Sequence, residues 1–141
     1  MMGMTLLLDR LDEDLRREFN LSLTEYEILV RLSERPERCM RMAHIADSVA
    51  HSRSRVTHTV SRMEQAGLVI RSSSKEDGRG IVASMTDAGW ELLVAAAPCH
   101  VESVRRYMVD LVDPADFAAL GRVMDTVADT LVGNHPQAEI R

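Results

Sequence analysis

Between Ser52 and Arg62 the chain reads SRSRVTHTVSR, and its polar side chains are all hydroxyls, imidazole or guanidinium groups with no carboxylate among them. On a helix at about 100° per residue, Val56, Thr59, Val60 and Met63 fall on one face. Ser54, Arg55, His58, Ser61 and Arg62 fall on the other, with Thr57 at its margin. A plain solvent-facing helix mixes acids and bases, because opposite charges one turn apart stabilise it. Short hydroxyls interleaved with arginine offer a different chemistry. Arginine can hold guanine O6 and N7 with two hydrogen bonds, and serine or threonine can reach phosphates and base edges. No P-loop, dinucleotide fingerprint, catalytic triad or zinc motif accompanies them. Binding is therefore the expected chemistry, and an enzyme is not expected.

Charge supports a local site. The chain carries 17 Lys+Arg against 22 Asp+Glu, a formal −5. Residues 51–80 alone hold Arg53, Arg55, Arg62, Arg71, Lys75 and Arg79 against Glu64, Glu76 and Asp77, which makes this segment +3 and leaves −8 for the rest. An acidic body with one basic segment suits a nucleic-acid contact confined to a patch.

The elements around this segment can be read from periodicity and caps. Leu8, Leu11, Leu15 and Phe19 mark an amphipathic first helix that Asn20 ends. Thr24 is the expected cap of a second helix carrying Tyr26, Leu29, Val30 and Leu32. A third, short helix spans Met42 to Val49. Ser52 is the expected N-cap of the basic helix, and Gly67 its C-terminal stop. Leu68–Arg71 and Ile81–Met85 read as two strands joined by SSSKEDGRG, a hairpin with glycines at 78 and 80. Thr86 caps a long helix expected to reach about Leu111, with Pro98 as a point of kinking. Asp113-Pro114 starts a last helix whose stripe is Phe117, Leu120, Val123, Met124, Val127 and Leu131. A short helix, a tight turn, a polar-faced helix and a hairpin make a winged helix-turn-helix, whose second helix enters the major groove. The fold class expected is thus mainly α with a small β-hairpin wing. Residues 21–86 form the winged helix-turn-helix, 1–20 and 87–135 a helical dimerisation region, and 136–141 a flexible tail. The terminal stripes exceed what a small reader domain covers, so a homodimer is expected.

Other residue groups carry weaker signals. His44, Asp47 and His51 have i, i+3, i+7 spacing, but the helix is expected to end near Val49, so no metal is expected. Cys39 lies near Arg38 and Arg41, which favours a thiolate; a small inert thiol is the simpler reading. Adjacent Cys99 and His100 point different ways on a helix and make no dyad. Trp90 reads as a core anchor, with a pocket wall as the alternative. Two distant cysteines, no apolar run of membrane-spanning length and no basic start ahead of Leu6–Leu8 suggest a reduced cytoplasmic protein without signal peptide or membrane partner.

Taken together, LTEYEILVRLSERP and MAHIADSVAHSRSRVTHTVSRMEQAGLVIRSSSKEDGRGIVASMTDAGWELL resemble the MarR family of bacterial transcriptional regulators. The features that carry the resemblance are E-x-x-G-L-V, the Asp77-Gly78-Arg79 of the wing and M-T-D-A-G, in that order and spacing; Pro98-Cys99-His100 and D-P-x-D-F also fit. The resemblance implies double-stranded DNA and a second copy of the chain as partners, an inverted-repeat operator, and a ligand-responsive repressor with a small-molecule effector but no cofactor. It places DNA contacts on Ser52, Arg53, Ser54, Arg55, Thr57 and His58 of the helix and on Asp77 and Arg79 of the wing, with Asp77 bracing Arg79; the helix face and the wing tip add Arg62 and Lys75 as DNA-binding candidates. Ser54 and Arg55 depart from the Pro and Thr usual there, which should change base preference. The rival reading is a winged-helix protein–protein module using the same helix as a docking face. Exposed leucines or aromatics would favour it, and that face has none.

Overall fold

The computed structural model describes residues 2–74 and 80–133. Six helices and three short strands follow one another as α1 (Met2–Phe19), α2 (Leu23–Ser33), β1 (Cys39–Arg41), α3 (Met42–Ser48), α4 (Arg53–Gln65), β2 (Val69–Ser73), β3 (Ile81–Met85), α5 (Asp87–Tyr107) and α6 (Pro114–Gly133). Single 3-10 turns lie at Pro36–Arg38 and Val109–Leu111. Among the described residues no helix is long and apolar enough to cross a membrane.

The core forms where the apolar stripes of these short elements converge. Leu15 of α1, Ile28, Leu29 and Leu32 of α2, Ile45 of α3 and Val56, Val60 and Met63 of α4 are all essentially inaccessible to solvent. Val69, Ala83 and Met85 close the cluster from the sheet, and Leu93 and Ala96 close it from α5. Burial of such side chains stabilises by about 1.5–3 kcal/mol each, which is what seats α4 firmly enough to present its other face.

Local signals explain most element ends. Asn20, at φ +50°, turns the chain out of α1, as expected. α2 begins two residues earlier than Thr24 suggests. Ser22 is its N-cap, in a capping box with Glu25, and Asp12 of α1 accepts a further hydrogen bond from the Leu23 N–H at 2.8 Å. Ser-x-x-Glu satisfies two orphan donors reciprocally, whereas Thr24 would satisfy one at most. Ser52 caps α4 as expected, and Gly67 takes φ +76° just past its end. α5 continues through Pro98 but stops at Tyr107, short of Leu111, where the chain tightens into the 3-10 turn.

The expected hairpin forms, and a third strand extends it. β3 is central, paired antiparallel with β2 (Val69 opposite Met85) and also with β1 (Cys39 opposite Ser84). β1 thereby ties the start of α3 to the hairpin base. Gly89, inside the M-T-D-A-G motif, permits this packing: a Cβ there would stand 2.3 Å from the Leu68 carbonyl oxygen. Any side chain at 89 would push α5 off the chain where it enters β2.

Candidate nucleic-acid interface

The two faces of α4 separate as the wheel requires. Val56, Thr59, Val60 and Met63 are buried, while Ser52, Arg53, Ser54, Arg55, Thr57, His58 and Arg62 are exposed. The helix is held at both ends. Ser52 Oγ accepts from the Arg55 N–H at 3.3 Å, and the Thr57 hydroxyl donates back to the Arg53 carbonyl at 2.8 Å. At the far end Glu64 accepts from the Arg71 N–H and Nε, each at 2.9 Å, and from Nη2 at 2.7 Å, which pins α4 to β2. These Arg71 hydrogen bonds hold the Glu64 carboxyl below its usual range. The turn before α4 is fixed too. Ala50 adopts φ +53°, a region that non-glycine residues enter only where surroundings hold them, and His51 Nε2 lies 3.4 Å from the Thr24 hydroxyl. Burial, and then the Arg55 charge, keep His51 below the ordinary imidazole range.

The basic residues counted in the sequence therefore differ in what they can offer. Arg71 is neutralised by Glu64. Arg62 Nη2 stands 3.6 Å from Glu25 Oε1, whose other oxygen accepts from the Ser22 N–H and hydroxyl at 2.8 Å each. Ser54, Arg55 and His58 lie on the exposed face of the N-terminal half of α4, with Arg53 exposed beside them. Lys75, Asp77 and Arg79 of the wing lie outside the described residues.

Two groups of residues escaped the sequence reading. Arg41 ends β1 and donates from Nη2 to the Ser74 hydroxyl at 3.4 Å beside Gly80, at the base of the wing. With Met42, Thr57, Arg71 and Gly80 it lines a recess of about 300 Å³ between α4 and the hairpin. Nothing in a three-residue strand announces that position. The second group surrounds a cavity of about 430 Å³ under α1, lined by Leu8, Leu11, Tyr26, Glu27, Val30 and His100 among others. The His100 ring centroid is 4.5 Å from that of Tyr26, and its Nδ1 is buried with no partner among the described residues. Burial lowers the affinity of His100 for a proton and raises that of Glu27.

Trp90 is neither core anchor nor part of this wall. It is 37% exposed, with the Arg38 guanidinium stacked 4.1 Å from its ring centroid. Cys39, in β1, and Cys99, in α5, are half-buried free thiols. Burial pushes the Cys99 thiol up. Among the described residues no His, Cys, Asp and Glu cluster could hold a metal ion.

Comparison with known proteins places these features in a family context. The MarR family model matches residues 21–81, from two residues before α2 to the first residue of β3. A MarR family transcriptional regulator from Streptomyces coelicolor, solved in complex with DNA, is 39% identical, with a TM-score of 0.88 over 92% of this chain and 84% of that one. AbsC, a MarR family transcriptional regulator from the same organism, is 40% identical, with a TM-score of 0.87 over 94% and 89%. The HTH-type transcriptional regulator PecS of Dickeya dadantii is 29% identical over 102 residues, 72% of this chain, which spans only 61% of the length of PecS.

Proposed function

We propose that this chain, which belongs to the MarR family of transcriptional regulators, is a sequence-specific DNA-binding repressor that works as a homodimer and responds to a small ligand. The observation that carries the reading is the division of α4. Its apolar face is locked into the core, and its outer face holds arginines, hydroxyls and an imidazole with no acid between Ser52 and Arg62. A helix so seated after a tight turn is suited to the major groove, with its N-terminal residues over the base edges. Arg55 is the candidate for guanine readout, and Ser52, Arg53, Ser54, Thr57 and His58 for phosphates and neighbouring bases. Arg62, braced by Glu25, reaches the flanking backbone, and Lys75 and Arg79 of the wing, with Asp77 beside them, add contacts in the adjacent groove. A docking module for protein would need an apolar outer face, which α4 lacks.

The dimer follows from the terminal helices. Phe117, Leu120, Val123, Met124, Val127 and Leu131 of α6 are all exposed in the single chain, as are Met4, Leu6 and Leu8 of α1. Paired about a two-fold axis they cover one another, and two copies of α4 then fall on half-sites about one helical turn, or 10–10.5 bp, apart. The cavity between α1, α2 and α5 sits between the dimer helices and the reader, where a ligand can bias their relative positions. Selection of genomic DNA fragments by the protein, with and without a small-molecule extract, tests the reading. It should return an inverted repeat whose recovery falls when a ligand is present. Recovery of fragments sharing no repeat would refute sequence-specific dimer binding.

A further inference from the structure

The cavity under α1 has a chemistry of its own. Its walls are mostly aliphatic and aromatic, from Leu8, Leu11, Tyr26 and Val30. Into this lining α2 places Glu27, a half-buried carboxylate that neither accepts a hydrogen bond from nor forms an ion pair with any described residue. Arg31, one turn further along α2, also lines the cavity but is engaged elsewhere, with Nη1 3.2 Å from Glu34 Oε2. Arg55 acts on Glu27 only through space. His100, also in the lining, packs on Tyr26 and has a buried Nδ1 with no partner among the described residues.

A carboxylate taken partly out of water without a compensating donor is costly, and the cost is relieved by any cation that reaches it. Burial has already raised the Glu27 proton affinity, against the opposing charges of Arg31 and Arg55. The same burial keeps His100 neutral near pH 7, so it adds no positive charge that would attract an anion. We infer that the ligand of this cavity is an organic cation: a flat apolar body seated against Tyr26 and the leucines, carrying a protonated nitrogen that pairs with Glu27. His100 supplies one hydrogen bond to a polar atom on the body. Selectivity for amines over acids is then set by Glu27, the one cavity carboxylate, against the charge of Arg31.

This inference rests on the proposed ligand response and deepens it. Glu27 also borders the cleft that contains Arg55, His58 and Arg62 of α4. A ligand on Glu27 therefore sits beside the reading face as well as inside the cavity.

The test uses three molecules of one shape, tryptamine, tryptophol and indole-3-propionate, titrated into the full-length protein by calorimetry. Tryptamine should bind at least about tenfold tighter than tryptophol, and the acid most weakly. Glu27→Gln should remove the tryptamine advantage while changing tryptophol binding by less than about twofold, which also shows that the cavity is intact. Arg31→Gln should leave tryptamine binding unchanged or tighter. Preferred binding of the acid, lost in Arg31→Gln, would overturn the inference, as would tryptamine binding indifferent to Glu27→Gln. Operator affinity measured in parallel separates the two readings. Tryptamine held by Glu27 without any change in DNA binding supports the ligand class and removes the ligand response.

Discussion

α4 and α6 are both amphipathic helices, and a wheel drawn from either shows a clean apolar stripe, yet the folded chain treats them in opposite ways. The stripe of α4 is fully enclosed: Val56 and Val60 are 0% exposed. That of α6 is open, with Val123 at 59% and Leu131 at 67%. Every described side chain of α6 except Ala119 is exposed. The difference teaches that an apolar stripe specifies burial but not the surface that provides it. The polar side of α4 is the part left for a partner, whereas in α6 it is the apolar side.

That contrast can be broken from either end. The largest effect is expected from α6. Leu120→Asp with Val127→Asp places four charges in the proposed two-fold interface, and sedimentation should show a monomer that keeps its helical circular dichroism. Operator affinity should fall by about a thousandfold or more, since a monomer meets only one half-site. A dimer that survives the double change would mean that α6 is not the interface. Next comes the buried side of α4. Met63→Ala opens a cavity in a closed core and should cost about 2–5 kcal/mol in urea unfolding, with oligomeric state unchanged at temperatures where the chain is folded. A cost under about 1 kcal/mol would show that the α4 seat is looser than its burial indicates.

Acid should separate the two regions more gently. His51 and His100 are held below the ordinary imidazole value of 6.5, and Asp12, Asp14 and Glu64 below the carboxylate range. Burial pushes Asp14 upward, but the Ser103 hydroxyl donating at 2.8 Å and the Arg17 charge outweigh it. Groups with depressed values stabilise the fold above their unfolded values, and that contribution is lost as pH falls through the folded ones. Thermal stability should therefore begin to decline below about pH 6.5 as the two histidines are forced to charge, and decline further below the carboxylate range. His100→Gln should flatten the first limb only. α6 has none of these groups, so its removal should leave the profile's shape intact.

Much of this was legible in the chain, and the misses have physical causes. The four buried positions of α4 and its Ser52 cap follow from periodicity and hydrogen-bond need alone. The cap of α2 was misplaced because Ser22 and Thr24 are both competent acceptors, and only Glu25, three residues after Ser22, discriminates between them. β1 is not legible because Cys39–Arg41 is too short to show alternation, and its partner β3 lies about forty residues further along the chain. Trp90 was expected inside on the strength of its size, but Arg38 covers its face and leaves it at the surface. Glu27 carries no signal in the sequence, where it is one acid among 22. Its significance depends on which neighbours fail to pair with it, and that is a property of the packed chain.

The central claim is that the outer face of α4 reads DNA sequence, and it is tested most directly by binding-site selection with the wild type and Arg55→Ala in parallel. The account predicts that the wild type returns an inverted repeat with a guanine fixed at one position of each half-site. Arg55→Ala should keep the repeat but lose preference at that position, at a cost of about 1–3 kcal/mol per half-site. Identical motifs of equal strength from both proteins would contradict it, leaving Arg55 as a phosphate contact and base readout to other residues.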